Sequence, residues 1–170
     1  MSELAVTAVG ADRPGIVAAV AEVLHQRGGN VEDSAMTILG GHFAIVLIVA
    51  GDDDADELRH ALEEATSPLG LAISVSRADG RRRPQEPTHL LSVYGADRPG
   101  IVAGVTRAIA DLGANITDLE TQVIGHDEPV YAMVIEVVAD DEDALEQRLS
   151  AVCGELGVDH TLRTIEAETY

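Results

Sequence analysis

The nine residues GADRPGIVA occur twice in the chain, at Gly10–Ala18 and again at Gly95–Ala103. The match extends further, because thirteen of 24 positions are identical without gaps when Gly10–Asp33 is aligned with Gly95–Asp118. After that stretch the two copies share only a pattern of apolar and polar residues. The hairpin that precedes the third strand is three residues longer in the second copy. Internal self-similarity of this kind indicates duplication of one supersecondary unit. The chain is therefore predicted to contain two copies of one fold.

The hydrophobic pattern of the first copy predicts the order of its strands and helices. Residues 4–9 alternate as a strand does, and Ile16, Val20, Val23 and Leu24 then recur at helical spacing. Two further strands at 30–39 and 43–50 flank a Gly-Gly hairpin, aspartates at 52–54 open a second helix, and a last strand covers 71–75. This order is β-α-β-β-α-β, the split βαβ pattern of ferredoxin-like folds.

The second copy repeats the pattern, with strands predicted at 88–94, 115–124, 130–139 and 158–165. The fold class is therefore α+β, with two ferredoxin-like βαββαβ units, each an antiparallel sheet with its helices on one face. The first unit is predicted to cover 1–77 and the second 89–170. The stretch between them, ADGRRRPQEPT at 78–88, holds two prolines and three arginines without an apolar period, which is typical of a linker.

The composition excludes several classes of partner. Apolar residues make up 46% of the chain and aromatic residues only 2%, so the core must consist of aliphatic side chains. Eleven arginines oppose 30 acidic residues, which gives a net charge of −19 with no lysine. Nucleic-acid backbones and anionic membranes attract positive surfaces. Direct binding to either is therefore not expected, and the absence of lysine excludes Schiff-base chemistry.

The remaining motifs favour neither catalysis nor a cofactor. The histidines lack the spacing of metal ligands, and the chain has no nucleophile elbow, P-loop or dinucleotide-binding fingerprint. Cys153, the single cysteine, lies on the apolar side of a predicted helix and is expected to be buried. No signal sequence is visible, so a cytoplasmic location is expected. We predict no catalytic residue, no metal site and no cofactor.

The duplicated turn can be interpreted as a structural element or as a binding site. In the purely structural one, Asp12 and Asp97 cap the following helices, and Pro14 and Pro99 occupy the first helical position. In the functional one, a free carboxylate binds the unpaired N–H groups of the helix N-terminus, where glycine lets a ligand approach the backbone. An aspartate beside it could receive an α-ammonium group. Both charges of an amino acid would then have partners.

The turn DRPGIV, followed by a strand that begins NVED or NITD, resembles the ACT domain, a module that most often senses amino acids. The stretches TAVGADRPGIV and GGNVEDSAM are more closely similar to the glycine cleavage system transcriptional repressor family, which consists of two ACT units. The resemblance implies a ligand that is an amino acid or a similar small molecule. It also implies ligand-binding residues at Asp12, Arg13, Pro14, Gly15, Ile16, Asn30, Val31, Asp97, Arg98, Pro99, Gly100, Ile101, Asn115 and Ile116.

Topology constrains how these residues can combine. In a βαββαβ unit, strands 1 and 2 run parallel, so the turn after strand 1 and the start of strand 2 lie at opposite ends. The resemblance implies paired units, and we therefore expect two composite sites. One would join the Asp12–Gly15 turn with Asn115, and the other the Asp97–Gly100 turn with Asn30. Pairing within one chain or between chains would satisfy this, and the exposed strand edges leave room for a homodimer.

The expected function is non-catalytic sensing of an amino acid, with regulation through contact with another protein. The resemblance implies transcriptional control of amino-acid metabolism, such as that of glycine, through a DNA-binding partner. One alternative is an interaction or assembly module that binds no ligand. A lesser alternative is a small ferredoxin-like enzyme such as an acyl phosphate hydrolase, since Arg13 and Arg98 lie in the loop where that chemistry places an arginine.

Overall fold

The computed structural model describes residues 2–78 and 85–165, and the chain divides into two units. The first contains β1 (Ser2–Ala11), α1 (Ile16–Gln26), β2 (Asn30–Leu39), β3 (His42–Gly51), α2 (Ala55–Thr66), a short 3-10 turn (Ser67–Leu69) and β4 (Ala72–Arg77). The second contains β5 (His89–Ala96), α3 (Ile101–Asp111), β6 (Asn115–Ile124), β7 (Val130–Val138), α4 (Glu142–Leu156) and β8 (Asp159–Thr164). The predicted βαββαβ order is confirmed in both units. Most of the linker predicted at 78–88 lies outside the described residues.

Each unit has one antiparallel sheet, in the order β2-β3-β1-β4 in the first and β6-β7-β5-β8 in the second. The register fixes which residues share an end of the sheet. Ala50 of β3 pairs with both Glu3 of β1 and Asn30 of β2. His42, at the other end of β3, pairs with Ala11 and Leu39. Strands β1 and β2 therefore run in the same direction, and the turn after β1 lies at the end opposite the start of β2.

The core of each unit lies between the sheet and its helices. Alternate residues of β1 and β3 are buried, as expected of strands covered on one face. In the first unit these strand residues pack against the buried face of α1, as predicted. That face consists of Ile16, Val20, Val23 and Leu24. The second unit repeats this with Leu91, Val93, Ile101, Val105, Ile109, Met133, Ile135, Val137, Leu145, Leu149, Cys153 and Val158.

Two predictions about single residues are confirmed in these cores. Asp54 begins α2 by accepting hydrogen bonds from the N–H groups of Asp56 and Glu57, as the acidic run at 52–54 indicated. Cys153 is only 1% exposed, and burial raises the pKa of its thiol. A thiol with a raised pKa is a poor nucleophile at neutral pH, so Cys153 acts as a small apolar core residue.

A bidentate ion pair joins the end of α1 to the start of α2. The guanidinium of Arg27 donates through Nε to Asp53 Oδ2 and through Nη2 to Asp53 Oδ1, the latter at 2.6 Å. A third contact joins Arg27 Nη2 to Glu57 Oε2 at 3.4 Å. The hydrogen bonds from Arg27 lower the pKa of the Asp53 carboxyl below its ordinary value. The fold therefore favours the ionised form of Asp53.

Asp53→Asn is expected to lower the free energy of unfolding at neutral pH and to have no effect in acid. A carboxyl whose folded pKa is depressed adds stability above its unfolded pKa of about 3.9 and loses it as the pH falls through the folded pKa. Urea unfolding as a function of pH measures the difference between variant and parent. Asp56→Asn, at a side chain that is 84% exposed, is the control. An Asp53→Asn effect that stays constant down to acid pH would show that the ion pair is not its source.

Within 2–78 and 85–165, no helix combines the length and apolar character that a membrane span requires.

Candidate ligand-binding turns

The duplicated turn places a glycine, rather than an aspartate, at the start of each helix. Gly15 precedes α1 with φ 91° and ψ −3°, and Gly100 precedes α3 with φ 95° and ψ −5°. These values lie in the left-handed region, which costs glycine little and other residues more. A proline followed by a left-handed glycine is also typical of a type II turn. The two copies of the turn thus adopt nearly the same backbone conformation.

The predicted roles of the aspartates and prolines in capping are wrong. The cap residues are Gly15 and Gly100, which have no side chain to form a cap hydrogen bond. The helices begin at Ile16 and Ile101, so Pro14 and Pro99 precede the cap residue instead of occupying the first helical position. The physical reason is the positive φ of the glycine between them. A left-handed residue interrupts the helical backbone, so the helix can start only after it.

The first N–H groups of α1 and α3 precede the intrahelical hydrogen bonds. The first intrahelical bonds are donated by Ala19 to Gly15 and by Gly104 to Gly100, both at 2.9 Å. The preceding amides of α1 and α3 therefore lack an intrahelical acceptor, as at every helix start. The cap residues, Gly15 and Gly100, have no side chain that could accept from these amides. Aligned peptide dipoles give this end a partial positive charge, so each turn offers several N–H donors to an anion.

The glycines of the turn differ in what surrounds them. A Cβ on Gly15 or Gly100 would meet no atom within 4 Å, so the space above each turn is open. A Cβ on Gly10 would lie 2.7 Å from Leu71 Cδ2, and one on Gly95 would lie 3.0 Å from Val158 Cγ1. The first glycine of each repeat thus allows close packing. The second allows the turn conformation and leaves the backbone accessible.

The residue after the turn fixes it to the core. Ile16 and Ile101 are each 2% exposed, although the four residues before each of them are exposed. The exposed backbone amides are thus attached to a buried side chain. A ligand bound there would contact a preformed surface, which reduces the entropy lost on binding.

The surroundings of the two turns are not identical. In the first unit, the backbone N–H of Asp12 donates to the carbonyl of Gly41 in the β2–β3 hairpin at 2.9 Å. In the second, Arg98 Nη2 donates to the carbonyl of Gly157 at 3.1 Å. Sequence reasoning missed both contacts. For the contact between Asp12 and Gly41, the only signal in the sequence was that the hairpin of the second unit is longer. Nothing in the sequence indicated the contact between Arg98 and Gly157.

The predicted site residues fall into separate groups within each unit. Asp12, Arg13, Pro14, Gly15 and Ile16 are consecutive and form one turn, and their repeats at 97–101 form the other. Asn30 and Val31 lie at the far end of the first sheet. Asn30 and Glu3 both pair with Ala50, whereas the turn follows Ala11 at the other end of β1. Glu3 and Ala11 are eight residues apart along β1, so at about 3.3 Å per residue Asn30 lies roughly 26 Å from the turn.

Asn115 and Ile116 are likewise at the far end of the second sheet, where Asn115 pairs with Val138. The side chain of Asn115 donates from Nδ2 to Gln85 Oε1 at 2.9 Å. Neither asparagine can contact a ligand held at the turn of its own unit. This agrees with the topological argument from the sequence.

Comparisons with known proteins agree with this architecture. The family model of the ACT domain matches residues 2–76 and again 88–163. The glycine cleavage system transcriptional repressor of Escherichia coli K12 is 29% identical over 170 residues, which cover 95% of this chain and 90% of the relative. The chain belongs to the ACT domain family, with two ACT domains in tandem.

Solved structures extend the similarity. A protein of unknown function from Galdieria sulphuraria is 33% identical with a TM-score of 0.81, and the match covers 97% of this chain and 99% of that one. A protein proposed to be a glycine cleavage system transcriptional repressor is 25% identical with a TM-score of 0.65, and the match covers 98% of both chains. The tandem arrangement is therefore shared over nearly the full length of these relatives.

Proposed function

We propose that this protein is a non-catalytic regulator that binds an amino acid at the N-termini of α1 and α3. The observation that carries the proposal is the pair of helix starts whose first amides lack an intrahelical acceptor, each after an open left-handed glycine. An α-carboxylate accepts hydrogen bonds from such amides and is stabilised by the helix dipole. No lysine or arginine is needed for this recognition.

The aspartate of each turn completes the recognition of an amino acid. Because Asp12 and Asp97 do not cap their helices, their carboxylates remain available to a ligand. An ammonium group has three donors and pairs favourably with a carboxylate. A ligand with both charges on one carbon would therefore be favoured over a simple carboxylic acid or a simple amine.

Asn30 and Asn115 can contribute to ligand binding only at the turn of another ACT unit. Each lies about 26 Å from the turn of its own unit, at roughly 3.3 Å per residue, so a contribution to binding requires a turn from another unit of the same or another chain. Asn115→Ala should then weaken binding at the Asp12–Gly15 turn more than Asn30→Ala does. Equal effects of the two variants would limit the site to the turns alone.

Regulation would occur through another protein. The similarity over 95% of the chain to a transcriptional repressor supports a role in transcriptional control, and its name points to glycine metabolism. The net charge of −19 disfavours direct contact with DNA. The proposed partner is therefore a DNA-binding regulator, and the ligand would act by changing the affinity of this chain for that partner.

A thermal unfolding screen over the twenty amino acids tests the proposal. A ligand present at about 100 times its Kd adds about 2.7 kcal/mol to the free energy of unfolding. We expect one amino acid or a few related ones to raise the melting temperature, while the corresponding amines and carboxylic acids do not. A screen in which no amino acid raises it would favour the alternative of an assembly module without a ligand.

A further inference from the structure

The duplicated turn of the second unit lies beside the C-terminal end of α4. A Cβ on Gly95, shortly before the turn, would lie 3.0 Å from Val158 Cγ1. A Cβ on Gly104, in the first turn of α3, would lie 2.9 Å from Leu156 Cδ1. The residue between Leu156 and Val158 is Gly157, the C-cap of α4. The chain on both sides of the turn thus packs closely against the end of this helix.

Arg98, within the turn itself, adds a contact to the same helix end. Its Nη2 donates to the carbonyl of Gly157 at 3.1 Å. The guanidinium also covers the α-carbon of Gly157, because a Cβ there would lie 2.6 Å from Nη2 and 3.4 Å from Cζ. The C-terminal end of a helix carries partial negative charge, which favours a cation on its last carbonyls. The contact therefore ties an exposed turn to a packed helix end.

The first unit has the same backbone at this place without the contact. Gly70 has φ 64° and ψ 35°, and Gly157 has φ 66° and ψ 36°. A Cβ on Gly70 would meet no atom within 4 Å, so Arg13 does not cover Gly70 as Arg98 covers Gly157. The first turn is tethered instead by the backbone N–H of Asp12, which donates to the β2–β3 hairpin at 2.9 Å. The two turns are therefore held by different parts of their units.

A tether outside the turn matters because the turn has little to hold it locally. Gly100 accepts either sign of φ without a steric penalty, and residues 97–99 are exposed. The buried side chain of Ile101 fixes the end of the turn that leads into α3. Arg98 fixes the part of the turn that precedes Gly100. Because a turn that is already ordered loses less entropy when a ligand binds, the tether should increase the affinity of the turn.

We propose that Arg98 is a positioning residue for ligand binding at the Asp97–Gly100 turn, and that it acts through the carbonyl of Gly157. The inference rests on the proposed function, because it concerns an amino acid bound at the same turn. Binding at the second turn is then linked to the end of α4, whereas binding at the first turn is not linked to the end of α2. Such linkage is reciprocal, so a change at Gly157 alters the affinity of the turn.

Affinities measured separately at the two turns test the inference. The probe is the one of the twenty amino acids that raises the melting temperature most, titrated into the full chain and followed by NMR at the amides of residues 15–18 and 100–103. Arg98→Met keeps an unbranched side chain and removes its donors. It should weaken binding at residues 100–103 about threefold to tenfold, the range that one hydrogen bond covers, and leave residues 15–18 unchanged. Arg98→Lys keeps a charged donor and should weaken binding less.

Gly157→Ala separates a positioning role of Arg98 from direct contact with the ligand. The new Cβ would lie 2.6 Å from Arg98 Nη2, so the guanidinium must leave the carbonyl while the sequence of the turn stays intact. Binding at residues 100–103 should weaken as in Arg98→Met, and the double variant should be no weaker than either single one. Gly70→Ala is the matched control. It places a methyl group at φ 64° in open space and should leave both turns unchanged.

The amide resonances of Gly157 and Val158 provide a further readout. They should shift when the amino acid binds to the parent, and this response should be lost in Arg98→Met. Unchanged or tighter binding at residues 100–103 in Gly157→Ala, or additive losses in the double variant, would overturn the inference and leave the proposed function intact. A parent in which neither residues 15–18 nor residues 100–103 respond would contradict the proposed function itself, and the inference with it.

Discussion

Gly15→Ala combined with Gly100→Ala is expected to abolish the stabilisation that an amino acid gives to this protein. A ligand at about 100 times its Kd should add about 2.7 kcal/mol to the parent and close to zero to the variant. The new methyl group occupies the open space above each turn, where the carboxylate must approach the amides. It also places a non-glycine residue at φ of 91° or 95°, at a cost of about 1–2 kcal/mol each.

A matched variant separates the loss of binding from the loss of stability. Gly28→Ala combined with Gly70→Ala introduces methyl groups at two other left-handed glycines, φ 72° and 64°, that likewise meet no atom within 4 Å. This variant should be destabilised to a similar degree and should still be stabilised by the amino acid. A ligand response that survives in Gly15→Ala with Gly100→Ala would place the binding site elsewhere.

Ile16→Ala is expected to cause the largest loss of stability among substitutions next to the site. The side chain is 2% exposed and belongs to the core of the first unit. Truncation of a buried isoleucine to alanine costs about 2–5 kcal/mol, because it removes apolar contacts and leaves a cavity. Since Ile16 also fixes the first turn of α1, the variant should bind an amino acid more weakly at that turn. Chemical denaturation with and without ligand measures both effects.

The neighbouring residue provides the control. Val17 is 47% exposed, and Val17→Ala should change the free energy of unfolding by no more than about 0.5 kcal/mol. If Ile16→Ala cost no more than Val17→Ala, the first turn of α1 would not be anchored as described.

The repeat made most of the fold predictable from the sequence. Two copies of one pattern in register leave little freedom in the order of strands and helices, and the observed bounds differ from the predicted ones by only a few residues. Gly28 marked the end of α1, and Gly40 and Gly41 marked the β2–β3 hairpin, because a positive φ is needed at these positions. The same periodicity placed Cys153 in the core.

The conformation of the turn was not predictable in the same way. Asp12 and Pro14 fit a capped helix by their residue types, and the same residues also fit a type II turn followed by a helix. The choice depends on the φ of Gly15, which accepts either sign without a steric penalty. Local preferences cannot decide such a case. The close packing of Gly10 against Leu71 likewise comes from the tertiary structure.

The ion pair between Arg27 and Asp53 illustrates a different limit. The alignment shows that Arg27 is replaced by Leu112, but it does not show which residue the arginine contacts. Asp53 lies 26 residues further along the chain, and its match with Asp140 requires a different alignment offset. Only the packed structure shows that Arg27 pairs with Asp53, and that leucine at position 112 cannot form the matching ion pair in the second unit.

The central claim is that the unpaired amides of α1 and α3 bind the carboxylate of an amino acid. The most direct measurement is an amide-resolved NMR titration with the amino acid that gives the largest thermal shift. The account predicts shifts of the amide resonances of residues 15–18 and 100–103, and their loss in Gly15→Ala with Gly100→Ala. Saturable binding that leaves these amides unperturbed would contradict it.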